Sequence, residues 1–244
     1  MNDTIKTICN HQSLRHYTGE NLTPEQIRDI KDAVKQTSST CFYQFISVLR
    51  VTDRELLKKI AVLSGNQDHI AECAEFWVFL MDFSKIYHQN QMRHEIPFKL
   101  FQSAVTDAAL YCENALVAAE SLGLGGVIIG GFRNGIDEMS KLLRLPKYVA
   151  PSVCLCLGVP DEKYREEQKP RLDDNWLFME NEYVDAFNEE ELKAYNDRYS
   201  EYNRSRKYNV SELNWSQTVA KRLPVKLDKS SLLAYYKKQG FDFN

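Results

Sequence analysis

Apolar positions recur along most of this chain at either helical or strand spacing, and the blocks are bounded by capping and turn residues. Thr23-Pro24-Glu25-Gln26 opens the first block. Thr23 is a cap, Pro24 suits the first helical position and Gln26 completes a capping box, after which Ile27, Ile30 and Val34 share one face. Residues 45–51 are apolar and β-branched and predict a strand. Asp53 caps a helix through Leu63, which Gly65 ends. Residues 75–83 read EFWVFLMDF, the nearly continuous apolar run of a buried central strand. A long helix is predicted over 98–122, where Phe101, Ala104, Val105, Ala108, Cys112, Ala115, Leu116 and Ala119 fall on one stripe. Small residues dominate that stripe, so another helix is expected to pack closely on it. Gly123 and Gly125 end it, 127–129 is a short strand, Asn134 caps a helix to Arg144, and 149–157 is a further strand.

The pattern changes after Gly158. Residues 159–175 are charged and proline-bearing and read as a loop. Asn188-Glu189-Glu190-Glu191 leads a polar helix to Tyr202, Ser211 and Ser230 are expected to cap two more helices, and Gly240 closes the last. Apolar positions are sparse here. Residues 1–244 are therefore read as a single domain in which 159–244 is a C-terminal extension that covers another surface. Helices and strands mix without a regular βαβ alternation, which predicts an α+β fold. The Gly123-x-Gly125-Gly126 cluster follows a helix and precedes a strand, the reverse of the dinucleotide-binding fingerprint.

Composition narrows the function classes. A net charge of −3 with 43% hydrophobic and 27% charged residues argues against nucleic acid or a membrane surface as partner. The most apolar stretch, 98–129, contains Lys99, Asp107, Glu113 and Glu120, which excludes a membrane span there. Residues 1–10 carry Asp3 and Lys6 and lack a secretory pattern, so a cytoplasmic location is expected. Cys9, Cys41, Cys73, Cys112, Cys154 and Cys156 form neither a CxxC pair nor a zinc spacing, and they read as buried free thiols. His88 and His94 fit no metal motif either. No metal is expected.

Several groups carry possible chemistry. In His11-Gln12-Ser13-Leu14-Arg15, alternation places His11, Ser13 and Arg15 on one side of an extended segment, which suits a phosphate. Thr37-Ser38-Ser39-Thr40 offers hydroxyls beyond a helix end, and Gln67 offers an amide to a heterocycle. From Ser121 to Gly131 the sequence is SLGLGGVIIGG, where missing side chains let a flat ring approach the backbone. Lys169-Pro170-Arg171 holds two cations on a stiffened backbone. Each group has an ordinary reading as surface or turn.

Together, in this order, they resemble the FMN-binding set of the nitroreductase A family of oxygen-insensitive NADPH nitroreductases and flavin reductases. The resemblance is carried by His11-x-Ser13-x-Arg15, Thr37-Ser38-Ser39 with Phe42, Gln67 with His69, residues 74–79, Ser121 to Gly131 with Asn134, Leu157-Gly158, Lys169-Pro170-Arg171-Leu172 and Trp215-Ser216. It implies an FMN-dependent nitroreductase-like sandwich, a mostly antiparallel sheet covered by helices, in a homodimer with FMN at the subunit interface. By the same resemblance, the segment His11, Gln12, Ser13, Leu14 and Arg15, together with Lys169 and Arg171, holds the FMN phosphate and the nearby polar edge. Ser39 and Gln67 hydrogen-bond the flavin or its ribityl chain, and Ile128, Ile129, Gly130 and Gly131 lie against the ring. Arg206 serves NADPH, and no side chain is expected to be a catalytic acid or base, the chemistry being on FMN N5. Gln12 stands where the family commonly has Arg, Cys41 where it has a small residue, and 82–99 matches poorly.

The implied activity is ping-pong two-electron transfer from NADPH to nitroaromatics, quinones or flavins. Two rivals stand beside it. One is an NAD(P)H:flavin reductase that supplies reduced FMN to a partner, and the other is a flavin-binding protein without significant turnover.

Overall fold

The computed structural model describes residues 1–90, 94–223 and 229–243. The described chain forms two compact units, residues 1–161 with 228–244, and residues 162–227. Within the stretch read from sequence as one extension, residues 159–161 and 228–244 group with the first unit and 162–227 form the second.

The first unit is built on four strands. Helix α1 (Asp3–Cys9) and helix α2 (Pro24–Lys35) precede β1 (Ile46–Val51). Helices α3 (Arg54–Leu63) and α4 (His69–Glu72) lead to β2 (Glu75–Asp82). Then come α5 (Ser84–Asn90), α6 (Phe98–Ser121), β3 (Gly125–Ile129), α7 (Ile136–Leu142) and β4 (Val149–Gly158). The sheet order is β1-β2-β4-β3. Every neighbouring pair is antiparallel, as expected of an α+β sandwich.

Local rules explain most of these elements. Thr23 and Gln26 make the reciprocal capping box on α2, and Asp53 accepts from the backbone N–H of Glu55 and Leu56 to cap α3. Such a cap contributes about 1 kcal/mol. Every residue of β2 is buried, as its apolar run predicts. Its polar ends are satisfied. Glu75 accepts from Arg50 Nε at 2.8 Å and Trp77 Nε1 at 2.7 Å. Asp82 accepts from Ser47 Oγ at 2.6 Å.

One expectation is met here and two change. Ala104, Ala108, Cys112, Ala115 and Ala119 of α6 are fully buried. Helix α6 packs on α2 and on the sheet, so the small-residue stripe is covered within the chain. Asn134 does not cap α7; it lies in a 3-10 turn, and Gly135 occupies the cap position without a side-chain bond. Four cysteines are buried as expected, but Cys9 and Cys41 are exposed.

The second unit carries α8 (Asp174–Leu177), α9 (Glu189–Ser205) and α10 (Trp215–Arg222), and α11 (Lys229–Lys238) belongs to the first. Asn188 caps α9 as predicted, but the helix continues past Tyr202. Asn214, not Ser211, caps α10 in a capping box with Gln217, and Ser211 Oγ instead accepts from Leu213 N. Ser230 lies inside α11 rather than before it. Tyr235, Tyr236 and Phe241 of this last segment are buried in the first unit's core, and Ser140 Oγ lies 2.6 Å from Tyr235 Oη.

Candidate active site

The segment after α1 runs beside β3. Ser13 bridges Gly126 in parallel, Leu14 N donates to Gly126 O at 2.9 Å, and Thr18 N donates to Val159 O at 3.0 Å. A Cβ on Gly125 would strike the tip of the Leu14 side chain, which would have to move aside. The extended register leaves Ser13 and Arg15 exposed, with Gln12 and Leu14 half-buried. His11 is anchored from behind, its Nδ1 2.6 Å from Glu120 Oε1 of α6 and its Nε2 3.5 Å from Ser13 Oγ. Arg15 Nη1 donates to Ser13 O at 3.2 Å.

The turn between α3 and α4 meets the end of β3. Gln67 Nε2 donates to Ser64 O at 2.7 Å. A Cβ on Gly131 would collide with Gln67 Nε2 and lie 2.5 Å from Ser64 O. Ile128 is 43% exposed and Gly130 is exposed, whereas the Ile129 side chain is in the core and presents only its backbone. His69 opens α4. Burial, reinforced by the charges of Arg15 and His16, lowers its imidazole to about 4, against the opposing pull of Asp68. His69 Nε2 and Ser64 Oγ are buried and have no hydrogen-bond partner among the described residues. Buried polar atoms are normally satisfied, so two orphans in one turn mark a place built for polar contact.

Residues 11–15 thus run beside β3, meeting it at Gly125–Gly126, while Gln67 meets the chain just past the other end of the strand at Gly131; the charge of Arg15 reaches His69 beside it. Ser39 is not joined to them by these bonds. Its loop is held to α6 by Asp107, which accepts from Thr40 N at 2.9 Å and Thr40 Oγ1 at 2.8 Å. Asp107 lies thirteen residues from Glu120, the anchor of His11, a separation of about 20 Å along a helix. Ser39 Oγ itself accepts from Gln44 N at 3.0 Å. The loop is sharply bent, with Cys41, Phe42 and Gln44 all at positive φ, and Phe42 is 78% exposed.

In the second unit Lys169 and Arg171 are exposed, and Pro170 O accepts from Tyr195 Oη at 3.1 Å. Arg206 is half-buried at the end of α9, where its Nε donates to Glu166 Oε2 at 3.0 Å. Glu166 Oε1 also accepts from Tyr208 N at 3.2 Å. These residues border a cleft of about 340 Å³ lined by Arg165, Glu166, Glu167, Tyr202, Ser205, Arg206 and Lys207. Sequence reasoning found Arg206 but missed Glu166 and Glu120, whose pairings span 40 and 109 residues and leave no local signal. His69 stands two residues past Gln67, the one sequence hint of its place in the site.

The antiparallel sheet with phosphate-type donors and glycines ranged along β3 defines a class that sequence comparison identifies. The Nitroreductase family pattern matches residues 8–159, and the pattern of the Nitroreductase family, C-terminal domain, matches 169–244. The chain belongs to the nitroreductase family. It is 40% identical over 244 residues to an oxygen-insensitive NADPH nitroreductase of Salmonella typhimurium, covering 99% of each chain. Among solved structures it superposes on nitroreductase A from Vibrio parahaemolyticus with a TM-score of 0.91 at 34% identity, covering 100% of each. It also superposes on the NADPH:FMN oxidoreductase from Vibrio harveyi complexed with NAD+, with a TM-score of 0.90 at 34% identity and 100% coverage of each.

Proposed function

We infer that this protein is an FMN-dependent NADPH oxidoreductase that reduces nitroaromatics, quinones or flavins by two-electron ping-pong transfer. The observation that carries the reading is the set of groups ranged along β3: Arg15 and Ser13 are exposed beside it, Gln67 is held against Gly131 just past its end, and His69 Nε2 and Ser64 Oγ have no partner among the described residues. That donor set fits FMN. A phosphate of charge near −2 suits the cation and hydroxyl donors, and exposed Ile128 and Gly130 offer a surface on which a flat ring can lie. The names of the relatives, an NADPH nitroreductase and an NADPH:FMN oxidoreductase, agree with it.

In this reading His11, Ser13 and Arg15, with Lys169 and Arg171, bind the phosphate and the adjacent polar edge. Glu120 holds the His11 ring in place, and Gln67 and Ser39 bond the flavin or its ribityl chain. Bound FMN supplies hydride acceptance and donation at N5, while the protein orients it. Arg206 meets the 2′-phosphate of NADPH, since a planar guanidinium takes two phosphate oxygens. Arg204 in the last turn of α9 and Lys207 just past it add positive charge nearby.

The functional unit in this reading is a homodimer. Ser39 lies about 20 Å along α6 from the His11 anchor, an offset that a second copy bridges when it contributes its own Ser39 loop. Exposed Ile5, Ile8, Val105 and Leu110 supply apolar surface for such a contact. No helix among the described residues is long and apolar enough to cross a membrane, and the reading places the enzyme in the cytoplasm.

The test is direct. Purified protein is expected to be yellow, and Arg15→Ala is expected to lose FMN on gel filtration by about 10- to 150-fold weaker binding, the equivalent of one charge-assisted contact. Protein that gains no flavin absorbance on incubation with FMN refutes the reading. NADPH oxidation with nitrofurazone, with free FMN and with no acceptor then separates nitroreductase, flavin reductase and inert flavoprotein.

A further inference from the structure

We propose that Glu166 is a built-in competitor for the NADPH 2′-phosphate at Arg206, and so sets how far this chain prefers NADPH over NADH. The proposal rests on the reading of Arg206 as the phosphate-binding cation. Glu166 and Arg206 side chains are only 16% and 18% exposed, and the bond between them is 3.0 Å. Among the described residues Arg206 makes its one hydrogen bond through Nε. Its two Nη groups remain for a ligand, and a phosphate seated on them stands a few ångströms from the Glu166 carboxylate.

The electrostatics then have a definite sign. Glu166 already balances the guanidinium charge, and it repels an arriving phosphate of charge near −2. Partial burial keeps water and salt from screening either effect as they would on an open surface. The neighbours do not reverse this. Arg165 is tied to Glu162 by bonds of 2.7 and 3.0 Å, and Glu167 and Lys207 are both exposed, of opposite sign. The opposing effect, in which Glu166 orients Arg206, is smaller, because Arg206 emerges from the end of α9 and already lies 5.8 Å from the Tyr202 ring. NADH has no 2′-phosphate, so Glu166 acts on one reductant and not the other.

Glu166→Gln removes the charge and keeps the shape. Its one amide oxygen still accepts from Tyr208 N, which keeps the loop, while the bond from Arg206 Nε is lost together with the charge and the guanidinium is released to the phosphate. Calorimetric titration of the FMN-loaded enzyme with 2′,5′-ADP reads the effect without turnover. The dissociation constant is expected to fall about tenfold, equal to about 1.4 kcal/mol. Binding of 5′-AMP should not change. In kinetics, KM for NADPH falls in parallel, with kcat and the NADH constants kept. Arg206→Ala should weaken 2′,5′-ADP, and the double variant should match Arg206→Ala alone. If Glu166→Gln leaves 2′,5′-ADP binding unchanged or weaker while Arg206→Ala weakens it, the competitor role is overturned and the Arg206 assignment stands. A gain that persists in the double variant also overturns it, since Glu166 then acts through another cation. If Arg206→Ala leaves 2′,5′-ADP binding intact, the Arg206 assignment itself fails.

Discussion

Acidification should selectively weaken the flavin-free protein through His69. Burial and the nearby Arg15 and His16 charges hold its imidazole neutral down to about 4, against 6.5 for a free histidine. In the unfolded chain the ring takes up a proton from about pH 6.5 downward, whereas in the folded chain it stays neutral until about pH 4. Between those values the unfolded state binds more protons, so the stability is fully present above about pH 6.5 and is lost as pH falls toward 4. A depression of that size corresponds in full to about 3.4 kcal/mol. Because the ring is only partly buried, solvent screening reduces the expected loss to about 1–2 kcal/mol. Urea unfolding of wild type and His69→Asn in steps from about pH 7.5 to about pH 4.5 isolates the effect, since asparagine does not titrate and the other groups are shared. Wild type should lose about 1–2 kcal/mol more than the variant over that range. Parallel pH profiles for the two proteins would refute the argument.

Two further outcomes follow from the same geometry. Glu75→Ala leaves the Arg50 guanidinium and the Trp77 indole N–H without their partner on a fully buried strand. Unfolding should become easier by about 2–4 kcal/mol, below the full cost of breaking a buried pair because Arg50 is partly exposed, and a urea midpoint equal to wild type counts against it. Gly131→Ala places a methyl group against Gln67 Nε2 and Ser64 O. The ratio of flavin to protein absorbance in the purified variant should drop, and full flavin content would show that this turn yields easily.

Some of this molecule is written locally in its sequence. Capping boxes and periodicity act over three or four residues, so α2, α3, α9 and the buried β2 were legible from Thr23, Gln26, Asp53, Asn188 and the run EFWVFLMDF. The glycines at 125, 126, 130 and 131 were legible too, though not what approaches them. Where two local signals compete, geometry chooses. Asn214 with Gln217 offers a reciprocal box that Ser211 lacks, and the 3-10 turn after β3 moves the start of α7 past Asn134. The long-range pairings were decided only by packing. His11 meets Glu120 across 109 residues, Arg206 meets Glu166 across 40, and the small-residue stripe of α6 is covered by α2 and the sheet of its own chain. The sparse C-terminal third pointed to a surface to be covered, but not that Tyr235, Tyr236 and Phe241 would be the ones buried in the first unit's core. A side chain's neighbours in sequence set its backbone preference, but its charge partner and its burial depend on which distant element the collapse brings against it.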